Sequence, residues 1–287
     1  MSDFETLIAV DELMQLVDTP GCRIVDCRFD LMQPDRGKAA YLGGHIPGAV
    51  YAHLDDDLAA PVTAATGRHP LPDPAAFAAT LGCWGISAAS QVVVYDDASG
   101  AMAARLWWLL RWLGHRRVAL LDGGLDAWIA AGGELQEAVP DVRPETFEAD
   151  PDEGRVITTD ELAAAVAGGE ELLLVDARDA PRFAGETEPI DPVAGHVPGA
   201  RNLPFAASLG PDGRWRSAGE LAEAWRAVLG DDAPSDWSTM CGSGVTACHL
   251  VLSARIAGLP EPRLYAGSWS EWIRDPVRPV ATGDQPG

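Results

Sequence analysis

Gln91-Val92-Val93-Val94-Tyr95 is followed, after a short polar break, by a run from about Gly100 to Leu113 that suits a long helix. Three β-branched residues ending at an aromatic read as a strand buried on both faces, as in a parallel sheet. Outward from it the alternation continues. Arg117 to Leu121 forms another strand, closed by Asp122-Gly123-Gly124 and a helix through Trp128. Upstream, Arg23 to Cys27 is a strand, Val10 to Val17 a short amphipathic helix, and Gly44 to Ala49 a turn by its Gly and Pro content. Asp73-Pro74 opens a helix to about Leu81, with aspartate as N-cap and proline at the first helical position. Strands alternating with helices imply a central, mainly parallel sheet with helices on both faces.

The same order then repeats. Val25-Asp26-x-Arg28 recurs as Val175-Asp176-x-Arg178, 150 residues later, and Gly44-His45-x-Pro47-Gly48-Ala49 recurs as Gly195-His196-x-Pro198-Gly199-Ala200, 151 later. Leu120 to Trp128 matches Leu264 to Trp272 at 144. Ordered matches with slowly drifting offsets mean a duplicated domain. The second copy opens with Thr158-Thr159-Asp160-Glu161, a capping box, and its strand Glu171 to Asp176 ends in the same Asp-x-Arg. Residues 1–135 are expected to form the first domain, the Pro- and acid-rich 136–155 a linker, and 156–287 the second domain.

With 43 acidic against 21 basic residues the formal charge is −22, which disfavours nucleic acid and anionic membranes as partners. No apolar run approaches the ~20 residues needed to span a bilayer. Met1-Ser2-Asp3-Phe4-Glu5 also lacks the basic start of a signal peptide, so a cytoplasmic location is expected. Five cysteines without Cys-x-x-Cys or Cys/His clusters disfavour zinc and a disulfide framework. Cys22, Cys27 and Cys83 read as buried small hydrophobes, and Cys248 as core packing two helical turns after Cys241.

Cys241-Gly242-Ser243-Gly244-Val245-Thr246 is different. It follows a short strand, Trp237 to Met240, and precedes a helix from about Ala247 to Ile256. A strand that stops at a cysteine, turns through two glycines and enters a helix aims backbone N–H groups at the sulfur, an anion cradle expected to favour thiolate. An offset of 144 puts Asp97-Ala98-Ser99-Gly100 opposite it, so the first copy is expected to carry the cradle with Asp97 where the thiol should be.

Taken together, the Asp-x-Arg strand ends, the Gly-His-x-Pro-Gly-Ala turns, Gly267-Ser268-Trp269-Ser270-Glu271-Trp272 and the Cys241 loop resemble the two-domain form of the rhodanese superfamily of sulfurtransferases. The resemblance implies α/β tandem rhodanese-like domains with one active site, in the second. Cys-Gly-Ser-Gly-Val-Thr is similar to the loop of the family's 3-mercaptopyruvate sulfurtransferases, whereas thiosulfate sulfurtransferases tend to carry basic residues where Gly242 and Ser243 stand. A loop without Arg or Lys offers a dianion such as thiosulfate no direct charge pairing. The resemblance further implies a Cys241 persulfide, no metal or organic cofactor, and a thiol acceptor such as thioredoxin, or cyanide in vitro.

By the same resemblance Ser243, His69 and Asp55 form a proton relay, Arg182 binds the substrate carboxylate, and Gly242, Gly244, Val245 and Thr246 line the substrate. Animal-type members carry a second arginine after a Pro-Glu-Pro; Glu188-Pro189-Ile190-Asp191 supplies none, leaving Arg201 or Arg105 as substitutes. His45 and His196 are expected to fix their turns, Asp26 and Asp176 to be structural, and Trp269 to border the pocket mouth. Trp108, Trp112, Trp128, Trp225 and Trp272 are expected in the core or at a domain interface. Three rival readings stand beside this one, and the first is rejected. A cysteine phosphatase needs an arginine six positions after its nucleophile, where Ala247 stands. A thiosulfate:cyanide sulfurtransferase and a non-catalytic sulfur-relay scaffold are the other two.

Overall fold

The computed structural model describes residues 3–169, 173–230 and 236–286. Met1 and Ser2 of the expected non-signal start, and Glu171 and Leu172 of an expected strand, lie outside the described residues. The chain divides into two compact units: residues 1–60, 71–152 and 211–215, and residues 61–70, 153–210 and 216–287.

The first unit runs β1 (Leu7–Ile8), α1 (Val10–Leu16), β2 (Cys22–Asp26), α2 (Asp35–Gly43), β3 (Val50–Tyr51), α3 (Pro74–Cys83), β4 (Gln91–Tyr95), α4 (Ala103–Trp112), β5 (Val118–Leu121) and α5 (Gly124–Ala130). Its sheet has the order β1-β5-β4-β2-β3, every pair parallel. All five residues of β4 are buried, as its unbroken β-branched run requires of a strand covered on both sides. Val93 and Tyr95 join a core with Ile24, Leu121 and Trp128, while α4 packs on β4 and β5. Asp73 caps α3 by accepting the N–H of Ala76 at 2.9 Å, with Pro74 at the first position. Residues 136–152, expected as a linker, pack on this unit: Glu145 N–H donates to Gly82 O, Asp152 N–H to Trp112 O, and Phe147 is buried beside His115.

The second unit runs α6 (Thr159–Gly168), β6 (Leu174–Asp176), α7 (Ala180–Phe183), β7 (Arg201–Asn202), α8 (Ala218–Leu229), β8 (Ser238–Met240), α9 (Thr246–Ile256), β9 (Arg263–Leu264) and α10 (Ser268–Trp272). The order β7-β6-β8-β9, again parallel, is that of β3-β2-β4-β5. Val156 bridges Leu264 as Leu7 pairs with Leu120 in the first unit. The expected capping box holds, with Glu161 N–H donating to Thr158 Oγ1 and Thr158 N–H to Glu161 Oε2.

The repeated motifs are one structural device used twice. Arg28 and Arg178 close onto Asp26 and Asp176 and donate from Nη2 to the carbonyls of Gly44 and Gly195, at 2.8 Å each, tying strand end to turn. His45 and His196 stack on Tyr41 and Phe183 with Nδ1 on the same residues' carbonyls, at 2.7 and 2.9 Å. Both histidines are buried turn-fixers, as expected. The five tryptophans expected to be buried are so. Two expectations fail. Cys83 is exposed at the C-terminal end of α3. Trp269, instead of bordering a pocket mouth, is fully buried, because its Nε1 donates to Val193 O and Arg178 stacks over its ring at 4.7 Å.

Candidate active site

β8 ends at Met240 in register with Asp176, and the chain then turns through Cys241 to Val245 into α9. The turn is fixed by glycine where it must be: Gly244 has φ +78°, and a Cβ there would collide with the Ala266 carbonyl oxygen. Cys241 O and Gly242 O accept the N–H groups of Trp269 and Ser270, at 3.0 and 2.9 Å. Those bonds hold the loop's carbonyls on α10, and within the loop Gly244 N–H donates to Cys241 Sγ at 3.1 Å. The Cys241 N–H is itself held by Ser268 Oγ at 3.1 Å, and that hydroxyl donates to Tyr265 O. Ser268 adopts φ +53°, rare for a residue with a side chain. Sequence reasoning did not single it out.

Residues 61–70 belong to the second unit. Gly67 N–H donates to Glu271 Oε2 at 3.1 Å and Arg68 N–H to Ser270 Oγ at 3.0 Å. Only glycine fits at 67, where a Cβ would lie 2.5 Å from Gly267 O. This seating brings the next residue to the loop: His69 Nδ1 lies 2.8 Å from Ser243 Oγ, both side chains buried. Asp55 lies in the first unit, on the turn after β3, with His53 and Asp56 among its titratable neighbours, and burial pushes its carboxyl above the ordinary value.

Charge reaches the loop from outside it, from the expected Arg182 and from a second arginine. A Cβ at Gly242 would meet Arg68 Nη2 at 2.9 Å and Arg182 Nη2 at 3.6 Å, so two guanidiniums stand over this glycine. Arg182 pairs with Glu188 (2.8 Å) and Asp191 (3.4 Å), and Arg68 Nη1 pairs with Asp191. Glu188 also meets Arg178 at 3.3 Å. Burial would raise Glu188, but Arg182 and the N–H groups of Asp191 and Ile190 outweigh it and hold the carboxyl below its ordinary value. For Asp191 burial prevails over the arginines and pushes it up. Arg201 instead donates to Val228 O at the end of α8, and Arg105 belongs to the first unit, donating to Leu58 O. Arg68 is thus the second arginine beside the loop; its only signal in the sequence was adjacency to His69. Val245 occupies the position just before α9, which begins at Thr246.

The counterpart of Cys241 in the first unit is Asp96, not Asp97. Asp26 pairs with Tyr95 as Asp176 pairs with Met240, and Leu125 N–H donates to Asp96 O as Trp269 N–H does to Cys241 O. Asp96 fills its own cradle, accepting the N–H groups of Ala98, Gly100, Met102 and Ala103 at 2.8–2.9 Å. Burial pushes its carboxyl up, against the pull of those four donors.

A doubled parallel α/β fold, with one cysteine loop backed by a His–Ser pair and two paired arginines, defines a class of cysteine-dependent group-transfer proteins. The rhodanese-like domain family matches residues 9–131 and 158–275, and the chain belongs to that family. It is 51% identical over 280 residues to a Pseudomonas aeruginosa protein named "Probable 3-mercaptopyruvate sulfurtransferase", covering 97% of this chain and 98% of the relative. It is 40% identical over 292 residues to a Mycobacterium tuberculosis protein named "Putative thiosulfate sulfurtransferase SseB", covering 97% and 98%. Among solved structures, the 3-mercaptopyruvate sulfurtransferase from Leishmania major superposes with a TM-score of 0.80 at 34% identity, covering 92% of this chain and 74% of that one. Among the described residues, no helix is long and apolar enough to cross a membrane.

Proposed function

We propose that the chain transfers sulfur from 3-mercaptopyruvate through a persulfide on Cys241. The observation that carries this reading is the placement of Arg182 and Arg68 over Gly242, next to a cysteine sulfur that already accepts a backbone N–H. Two guanidiniums beside a nucleophile suit a small carboxylate held with its sulfur against the thiolate. In the first half-reaction Cys241 thiolate attacks the donor sulfur, the S–S bond forms, the C–S bond breaks, and pyruvate leaves as an enolate that takes up a proton. In the second, an acceptor thiolate attacks the outer sulfur, carries it away and restores Cys241.

Ser243 and His69, in hydrogen-bond contact, are the proposed proton carriers, and Asp55 enters as the acid that family resemblance assigns to the relay. Gly242, Gly244, Val245 and Thr246 are the proposed lining of the donor site. The proposed acceptor is a dithiol protein of the thioredoxin type. Five cysteines, all free, fit a reducing cytoplasm.

Incubation with 3-mercaptopyruvate should add one sulfur to Cys241, read by intact and peptide mass, and Cys241→Ser should take up none and lose all turnover. No persulfide with any donor would establish the scaffold reading instead. A kcat/KM favouring thiosulfate over 3-mercaptopyruvate would overturn the proposed donor while leaving the sulfur chemistry standing.

A further inference from the structure

The charges around the Cys241 loop form an alternating chain within the second unit. Arg178 lies between Asp176 and Glu188, Arg182 between Glu188 and Asp191, and Arg68 ends the chain on Asp191. Three guanidiniums therefore meet three carboxylates. Asp176 and Glu188 are tied into the fold, Asp176 closing the strand-end motif and Glu188 accepting the N–H groups of Ile190 and Asp191. Asp191 differs from them: the side-chain bonds it accepts come from Arg68 and Arg182, the two residues facing Gly242. Its side chain is 4% exposed, whereas that of Arg68 is 27% exposed. Arg68 Nε is buried with no hydrogen-bond partner, a donor left unsatisfied beside the loop.

This arrangement has an electrostatic consequence. With Asp191 ionised, the cluster is neutral before a donor arrives, and its guanidiniums can still orient a carboxylate through directed N–H groups. Without that charge the cluster would be positive by one, which favours every anion and a dianion about twice as strongly as a monoanion. We propose that Asp191 sets the donor specificity of the Cys241 loop, cancelling one guanidinium charge and so favouring a monoanionic sulfur donor over a dianionic one. The inference rests on the sulfur-transfer reading above and adds the residue that selects the donor.

Asp191→Asn removes the charge and keeps the shape and an acceptor oxygen. With cyanide as the common acceptor and thiocyanate as the readout, kcat/KM is measured for thiosulfate and for 3-mercaptopyruvate in both proteins. The expected result is a rise of about tenfold in the thiosulfate-to-mercaptopyruvate ratio, on the scale of one added charge at a partly exposed site. That rise should shrink as salt is added. Equal changes for both donors, or a fall in the ratio, would mean that Asp191 only supports the fold and would overturn the proposal. The wild-type ratio alone tests which donor the protein prefers, so the two failures are separable. Arg68→Gln gives an independent arm if Asp191→Asn does not fold: it should depress thiosulfate turnover more than mercaptopyruvate turnover, and an unchanged ratio would again refute the assignment. In the double variant the ratio should return toward wild type, since the charge that Asp191 cancels is then gone.

Discussion

The backbone of Cys241, the proposed nucleophile, is held by a residue with little prominence in the sequence. Ser268 holds the Cys241 N–H through its hydroxyl while sitting at φ +53°, and the matching position in the first unit is Gly124 at φ +58°. The backbone there accepts glycine, so Ser268→Gly removes the hydroxyl without disturbing the turn. Losing the acceptor of a buried N–H costs about 1–3 kcal/mol, and glycine relieves backbone strain of similar size. The expected outcome is a melting midpoint close to wild type with persulfide formation on Cys241 slowed about tenfold, followed by quenched mass measurements. An unchanged rate would show that the serine does not position the loop. Cys241, Ser243 and Gly244 were legible because they lie within four residues of one another; Ser268, 27 residues on from Cys241, reaches them only in three dimensions.

At the scale of elements, local motifs were readable and borrowed ones were not. The Thr158–Glu161 capping box and the Asp73 cap lie within four residues and formed as expected. The segment 61–70 has no regular structure of its own, and α10 seats it through Glu271 and Ser270. Replacing Gly67 by alanine would place a methyl 2.5 Å from Gly267 O and 2.8 Å from Ser270 Oγ, lifting Arg68 and His69 from the loop. We expect kcat/KM to fall about 10–100-fold, with a loss of about 1–3 kcal/mol of stability as the buried turn is pushed off the Gly267 carbonyl. Full activity in Gly67→Ala would show that this seating is unimportant. The shift from Asp97 to Asp96 is an element-scale lesson too. Leu120 pairs with Val94 and Leu264 with Thr239, an offset one residue larger between β4 and β8 than between β5 and β9. Motif spacing could not reveal that, since the loops before α4 and α9 differ in length.

At the scale of the molecule, the excess of acidic charge acts against compaction. A formal charge of −22 repels itself, and raising salt from about 0.05 to 0.5 M cuts the screening length to a few ångströms. The melting temperature in sodium chloride should therefore rise by about 2–4 °C over that range. A fall would mean that ion pairs such as Arg155–Glu261 and Arg178–Asp176 contribute more than repulsion removes.

The sequence by itself determined that this is a doubled, parallel α/β chain with one cysteine set in a glycine loop between strand and helix. Strand burial, caps and turn chemistry are encoded in neighbouring residues, and a duplication exposes itself by repetition. Tertiary structure alone decided what surrounds Cys241. Arg68, Asp191 and Ser268 are far from it in the chain, and their meaning is electrostatic: a guanidinium beside Gly242 acts as a full charge or a cancelled one depending on the carboxylate packed behind it. Linear distance carries no information about such pairing, because Coulomb energy depends on separation in space and on burial.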